Sequence, residues 1–275
     1  MATRHDPNSI TRLSLQSAEV AEDEPGSQSR VEAAESNGAS QNGSSAQNSS
    51  SAQNGSSASD RMSDASEPVH TLDNPLSVSE AIETFFELAM KELASMRTRA
   101  EVEAIERAAE LIIECESRGG RVHVTGIGKS EHVARYIASV LSSTGTPAYF
   151  LHATECVHGS AGQVRDCDIT IAISNSGTTP ELMCAVEALR ALGIKIIGVS
   201  GDRESPLAQC AEVLLYAGVE NEGGLLNLVP RASILAKLYI LCALTVALEA
   251  QKGLTREQYA LWHPGGALGR LARGE

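Results

Sequence analysis

In the stretch Asp168-Ile-Thr-Ile-Ala-Ile-Ser174-Asn-Ser-Gly-Thr-Thr-Pro-Glu181, an apolar run ends in a hydroxyl-rich loop, and a helical pattern continues from Pro180 to Leu192. A loop between the end of a strand and the start of a helix lies at the carboxyl edge of an open α/β sheet, where ligands bind. Ser174, Ser176, Thr178 and Thr179 offer hydroxyls beside Asn175, and Gly177 lets a ligand approach the backbone. The first turn of the following helix adds free N–H groups and the positive end of its dipole. These features suit a small anion, and a phosphate best. The loop has no Lys and no Gly-Lys-Ser/Thr ending, so it does not read as a nucleotide P-loop.

Outward from this loop, short β-rich runs alternate with helical patterns. Strands are expected at 121–125, 148–151, 168–174, 195–200 and 212–217, with helices at 131–143, 180–192 and 206–210. That alternation predicts parallel βαβ units and an α/β fold, a doubly wound, five-stranded, mainly parallel sheet flanked by helices. Two amphipathic helices precede it, at 77–96 and 100–116. A long, almost uniformly apolar helix follows at 233–251, to be buried in the core or against a second subunit. A short helix at 255–260 leads into His263-Pro-Gly-Gly-Ala-Leu-Gly269. A second phosphate-facing loop, Gly126-Ile-Gly-Lys-Ser130, follows the first strand. It lacks the third Gly of a dinucleotide fingerprint, because position 131 is Glu, and Leu151-His152 stands where a ribose-binding acid would end the second strand. Gly128 belongs to this phosphate-facing loop, and Lys129 places a cation beside the anion expected at the neighbouring loop.

The first 72 residues form a different kind of sequence. Positions 41–58 hold an imperfect six-residue repeat of the type Gln-Asn-Gly-Ser-Ser-Ala, and apolar residues are few. Such a segment buries too little to offset its chain entropy and is expected to be a disordered acidic tail. Eleven acidic against four basic residues through Asp73 supply over half of the chain's net charge of −13. The remaining 73–275 are one domain's worth of sequence. The absence of a basic cluster argues against nucleic acid. With no long uncharged apolar run, no membrane span is expected. The six cysteines (115, 156, 167, 184, 210, 242) form no C-x-x-C pair. They read as buried free thiols of a reducing, cytoplasmic compartment, and the start of the chain lacks the apolar core of a secretory signal.

Together, Gly126-Ile-Gly-Lys-Ser130, Ser143-Thr-Gly-Thr-Pro147, Glu155-Cys-Val-His-Gly159, Ile171-Ala-Ile-Ser-Asn-Ser-Gly177, Glu222 ahead of Leu228-Val-Pro230, and His263-Pro-Gly-Gly-Ala-Leu-Gly-Arg270 resemble the sugar-isomerase (SIS) domain family. The likeness covers roughly residues 76–272, and the last motif points to the D-arabinose 5-phosphate isomerase branch. The resemblance implies phosphate contacts from Ser130, Ser174, Ser176 and Thr179. It also implies a catalytic set of Lys129, His158, Glu181, Glu222 and His263, and association into a homotetramer or homodimer. Bacterial members often carry a pair of CBS domains after this domain, which are not expected here. Arg231 and Ser160 stand where Thr/Ser and Asp are usual in the family.

An aldose–ketose isomerase opens the sugar ring, takes a proton from C2, holds an enediolate and returns a proton to C1. It needs no redox cofactor, and none is expected. Glu181 and Glu222 are the candidate bases, on the expectation that burial raises their basicity. His158 and His263 suit proton shuttling, and Lys129 suits the phosphate or the enediolate. Singly, each has a structural explanation: Glu181 as decoration of a helix start, His158 as a structural histidine, Lys129 as a solvated charge. Joined in one pattern they point to a site. His123, His132 and His152 read as structural or surface residues, and no spacing of a closed zinc site occurs. Three functions compete: isomerisation of D-arabinose 5-phosphate to D-ribulose 5-phosphate, isomerisation of another phosphosugar, and non-catalytic binding of a sugar phosphate by a regulator.

Overall fold

A computed structural model of the chain describes residues 76–275, so the expected disordered tail of 1–72 lies outside the described residues. The sheet has five parallel strands in the order β2-β1-β3-β4-β5: β1 Val122–Gly126, β2 Ala148–Phe150, β3 Ile169–Ser174, β4 Lys195–Ser200 and β5 Val213–Tyr216. Each lies within a residue or two of its expected place. All five residues of β1 and all six of β3 are buried. Burial on both faces is why these runs are continuously apolar or small and do not alternate.

Helices cover both faces. On one side lie α1 Val78–Ser95, α2 Arg99–Ser117, α3 Lys129–Ser143 and α7 Ala232–Lys252. On the other lie α4 Ala153–Cys156, α5 Pro180–Ala191 and α6 Pro206–Cys210. Val124, Ile171 and Ile173 join Ile112, Ile137, Leu241 and Leu244 in the larger core. Ala172 and Ile196 join Leu182, Val186 and Leu207 in the smaller one. Helix α7 is long and apolar enough to cross a membrane by composition, but here it packs against α1, α2 and α3.

His263, Pro264 and Gly265 form a loop, and the chain then continues as helix α9 Gly266–Arg273, packed on α8 Arg256–Trp262, an element the sequence pattern did not announce. The glycine pair at the start masks the helix, since Gly is a poor helix former and Gly266 has φ +77. The expectation of buried thiols needs correction: the cysteines are all free, but only Cys115 and Cys156 are buried, and Cys184 is exposed. Burial pushes the Cys115 thiol up to about 11.

Apolar residues remain uncovered along one face of α1, where Val78 is 79% and Phe86 61% exposed, and along α7 at Tyr239 and Val246. Association of chains was expected to bury such faces.

Candidate functional site

With strand order 2-1-3-4-5, the connection that leaves β1 runs to β2 on one side, and the connection that leaves β3 runs to β4 on the other. The carboxyl ends of β1 and β3 are therefore the topological switch point, where open α/β sheets bind ligands. Both loops read from the sequence as anion sites lie there, one after β1 and one after β3.

The β1 loop turns through Gly128 (φ +60), which is also the N-cap residue of α3. Gly126 must be Gly, because a Cβ there would stand 2.9 Å from the backbone of Ser130. Lys129 and Ser130 open the helix, the first exposed and the second buried. The β3 loop is held by its own hydroxyls. Gly177 N–H donates to Ser174 Oγ (3.0 Å), and Ser174 Oγ pairs with Thr179 Oγ1 (3.0 Å). Ser176 Oγ accepts from Thr178 N–H (3.3 Å) and from Thr178 Oγ1 (3.0 Å), which leaves the Ser176 proton to donate outward. Gly177 has φ +64, and a Cβ there would collide with Ser205.

The starts of α3 and α5 differ from most others in the chain. Helices α1, α2, α6 and α8 are capped by the side chains of Ser77, Thr98, Ser205 and Thr255. Gly128 and Thr179, which precede α3 and α5, make no side-chain cap bond. Two uncapped helix N-termini on adjacent strands thus offer N–H groups and positive dipole ends to one place, among Ser130, Ser174, Ser176, Thr178 and Thr179. An anion is the ligand such an arrangement favours.

Glu222 arrives from the loop between β5 and α7. Its Oε2 accepts from Arg231 N–H (2.6 Å) and Ser233 N–H (3.1 Å), so the carboxylate itself caps α7. The side chain is half-buried, and the expectation that burial would raise its basicity is overturned. Burial does push the pKa up, but hydrogen bonds from Ser233 and Arg231 and the charge of Lys237 outweigh it and hold the carboxyl below its ordinary value. Glu181 is exposed in the first turn of α5. His158 is exposed in the turn after α4, on the same edge of the sheet. The Arg231 side chain rests against Gly224.

His263 is not brought to this place. It follows α8, stacks on Tyr259 (3.9 Å between centroids), and its Nδ1 lies 2.9 Å from the Tyr259 carbonyl. Its neighbour Trp262 packs on Gly145, in the turn that leads into β2, and Lys252 at the end of α7 bonds to Glu116, the Gly145 carbonyl and Thr146. These residues mark the amino edge of the sheet, opposite the loops.

The sequence reading missed two contributors. Lys237 is 1% exposed, and its Nζ donates to Asn175 Oδ1 (2.7 Å) and to the Ser233 carbonyl (3.0 Å). The clue was a lone charge in an otherwise apolar helix. Glu92 on the buried face of α1 accepts from the N–H groups of Glu220 (3.0 Å) and Asn221 (2.9 Å), which fixes the loop carrying Glu222. A carboxylate between the apolar positions Ala89 and Met96 was its signal. His123 is structural, with Nε2 2.9 Å from Asp168 Oδ2, and His152 caps α4. Among the described residues, no three His, Cys, Asp or Glu side chains group as a metal site would require.

The SIS domain family model matches residues 117–247. The chain is 45% identical over 164 residues to arabinose 5-phosphate isomerase KdsD of Pseudomonas aeruginosa, covering 60% of this chain and 49% of that protein. It is 39% identical over 193 residues to KdsD of Francisella tularensis, covering 70% and 58%. It thus spans about half the length of the curated relatives it matches. Among solved structures, an Escherichia coli CFT073 protein in complex with arabinose 5-phosphate superposes with a TM-score of 0.62 at 32% identity, covering 66% of this chain and 95% of that one.

Proposed function

Since the chain belongs to the SIS domain family, we propose that it is a phosphosugar aldose–ketose isomerase, interconverting D-arabinose 5-phosphate and D-ribulose 5-phosphate. The observation that carries this reading is the pair of uncapped helix starts and the hydroxyl loop at the switch point, coupled through α7 to the fixed carboxylate of Glu222. Names of the relatives support the substrate: two are arabinose 5-phosphate isomerases, and the solved structure was obtained with arabinose 5-phosphate.

In the proposed mechanism the phosphate sits among Ser130, Ser174, Ser176 and Thr179, with the backbone of Gly128 and Asn175 and the hydroxyl of Thr178 completing the cradle. His158 exchanges the proton needed to open the ring. Glu222 takes the proton from C2, the electron pair moves into an enediolate, and Lys129 balances the developing negative charge. A proton returned to C1, with the O2 proton passing to O1, gives the ketose. Glu222 suits the role by its rigidity, since two backbone N–H groups fix it; its lowered basicity is the cost of that fixation. Glu181, the other candidate base, stands exposed in the first turn of α5, and in this reading it holds sugar hydroxyls.

His263 completes the acid–base set only from a second copy, because within one chain it lies across the sheet from Glu222. The uncovered apolar faces of α1 and α7 supply surfaces for such an association, in a homodimer or homotetramer. The alternative of another phosphosugar draws on Arg231, which adds a cation at the N-cap of α7 beside Glu222.

A coupled assay of the purified protein against pentose and hexose phosphates tests the reading. Turnover highest with D-arabinose 5-phosphate supports it. Binding without turnover of any member transfers the case to a regulator.

A further inference from the structure

Lys237 is the single charged residue between Ala232 and Leu248 of α7, and it is one of the largest fully buried side chains among the described residues. Holding an ammonium in such surroundings is unfavourable, and an apolar residue of similar volume commonly serves the fold as well or better. Its contacts give the residue a different purpose. One donor goes to Asn175 Oδ1 in the β3 loop and one to the carbonyl of Ser233, whose own N–H donates to Glu222. The proposed phosphate cradle and the proposed base are thus joined by one connected set of hydrogen bonds, with Lys237 at its centre.

Resting on the phosphosugar reading, we propose that Lys237 is a positioning residue of this site: its ammonium holds the Asn175 loop against Glu222 and supplies buried positive charge that selects a doubly negative phosphate.

Burial lowers the Lys237 pKa to about 8, and the opposing pull of Glu222 keeps it from falling further. The charged groups of the neighbouring elements are engaged elsewhere. On α1, Glu92 binds the loop at 220–221. On α2, Glu101 pairs with Arg203. Lys129 opens α3 as an exposed side chain. Glu222 is therefore the charge that faces Lys237, and the ammonium is lost as pH rises through about 8. Above pH ~7 the sugar phosphate is already a dianion, so its own titration adds nothing there.

The test is calorimetric titration of the full chain with D-arabinose 5-phosphate and with inorganic phosphate between pH ~7 and ~9.5, alongside KM and kcat. Wild-type affinity is expected to fall as pH passes about 8. K237M should fold, bind at pH ~7 about 10- to 100-fold more weakly, and show no alkaline fall, with the loss in KM exceeding that in kcat. Asn175→Ala leaves the core intact and should weaken binding while keeping the alkaline fall. If K237M binds as wild type does, with the same pH profile, the inference is wrong and the phosphosugar reading stands. If K237M does not fold, the remaining measurements decide, and either unchanged affinity in Asn175→Ala or a flat wild-type profile overturns the inference. Wild-type protein that binds neither ligand overturns the phosphosugar reading and this inference with it.

Discussion

If Glu222 and His263 serve one reaction, two inactive variants should restore each other when mixed in one oligomer. The expectation comes from distance. The loops sit at the carboxyl end of β3, and Trp262 anchors His263 beside Gly145 at the amino edge. The six residues of β3 span about 20 Å at ~3.3 Å each, whereas proton transfer needs ~3 Å. Lys252, bonded to Glu116 and the Gly145 carbonyl, ties the end of α7 to that edge, so no local loop shift closes the gap. Glu222→Gln and His263→Ala should each lose about 10²- to 10⁴-fold in kcat, the usual contribution of a positioned acid–base group. Co-expressed in equal amounts and assembled at random, each site has one chance in two of a native Glu222 and one in two of a native His263 from its neighbour. The mixture should therefore show about a quarter of wild-type activity, whatever closed oligomer forms. The assay is turnover of D-arabinose 5-phosphate by the mixed preparation, with different affinity tags confirming that the variants share an oligomer. Activity no higher than that of the separate variants, in a mixture shown to share oligomers, refutes delivery of His263 from a second copy.

Glu222→Gln alone should abolish exchange of the C2 proton with deuterated solvent while binding is retained; exchange at the wild-type rate would move the base elsewhere. Ser176→Ala should cost about 1.5–3 kcal/mol of substrate binding, visible mainly in KM, because Ser176 Oγ is oriented by Thr178 to donate to a group that does not react. Asp168 should make the fold acid-sensitive. Burial raises its carboxyl, but hydrogen bonds from Arg165, His123 and Arg121 outweigh this and hold it below the ordinary value of 3.8. The stability it contributes is present above that value and lost as pH falls through the lower folded-state value, so thermal melts of Asp168→Asn should be less stable at neutral pH and lack this acid limb. Removing residues 1–72 should leave specific activity unchanged, and a drop in kcat/KM would show that the tail belongs to the working domain.

The order of strands and helices was legible in the sequence because both halves of the signal are local. Runs such as 169–174 are apolar on consecutive residues since both faces are buried, and the hydroxyl-rich loop after β3 needs only its own residues to form. The loops proposed to hold the phosphate were legible for the same reason, since a loop and the helix start behind it are contiguous in the chain. Helix α9 was not, because Gly265 and Gly266 suppress the local helical signal and packing on α8 decides the outcome.

Tertiary structure decided the rest. Whether burial would raise or lower the Glu222 carboxyl depended on which donors met it, and the N–H groups of Arg231 and Ser233 come from the start of a helix nine and eleven residues away. Lys237 reads in sequence as one charge in an apolar helix, and only the packing of α7 places it on Asn175, 62 residues earlier. His263 carries a motif that resembles the family's functional histidine, but the motif does not tell on which edge of the sheet it lies. A motif records the residue types a reaction uses, whereas the edge of the sheet on which a side chain emerges is set by the course of α7 and α8 across the fold, a distance that no short pattern encodes.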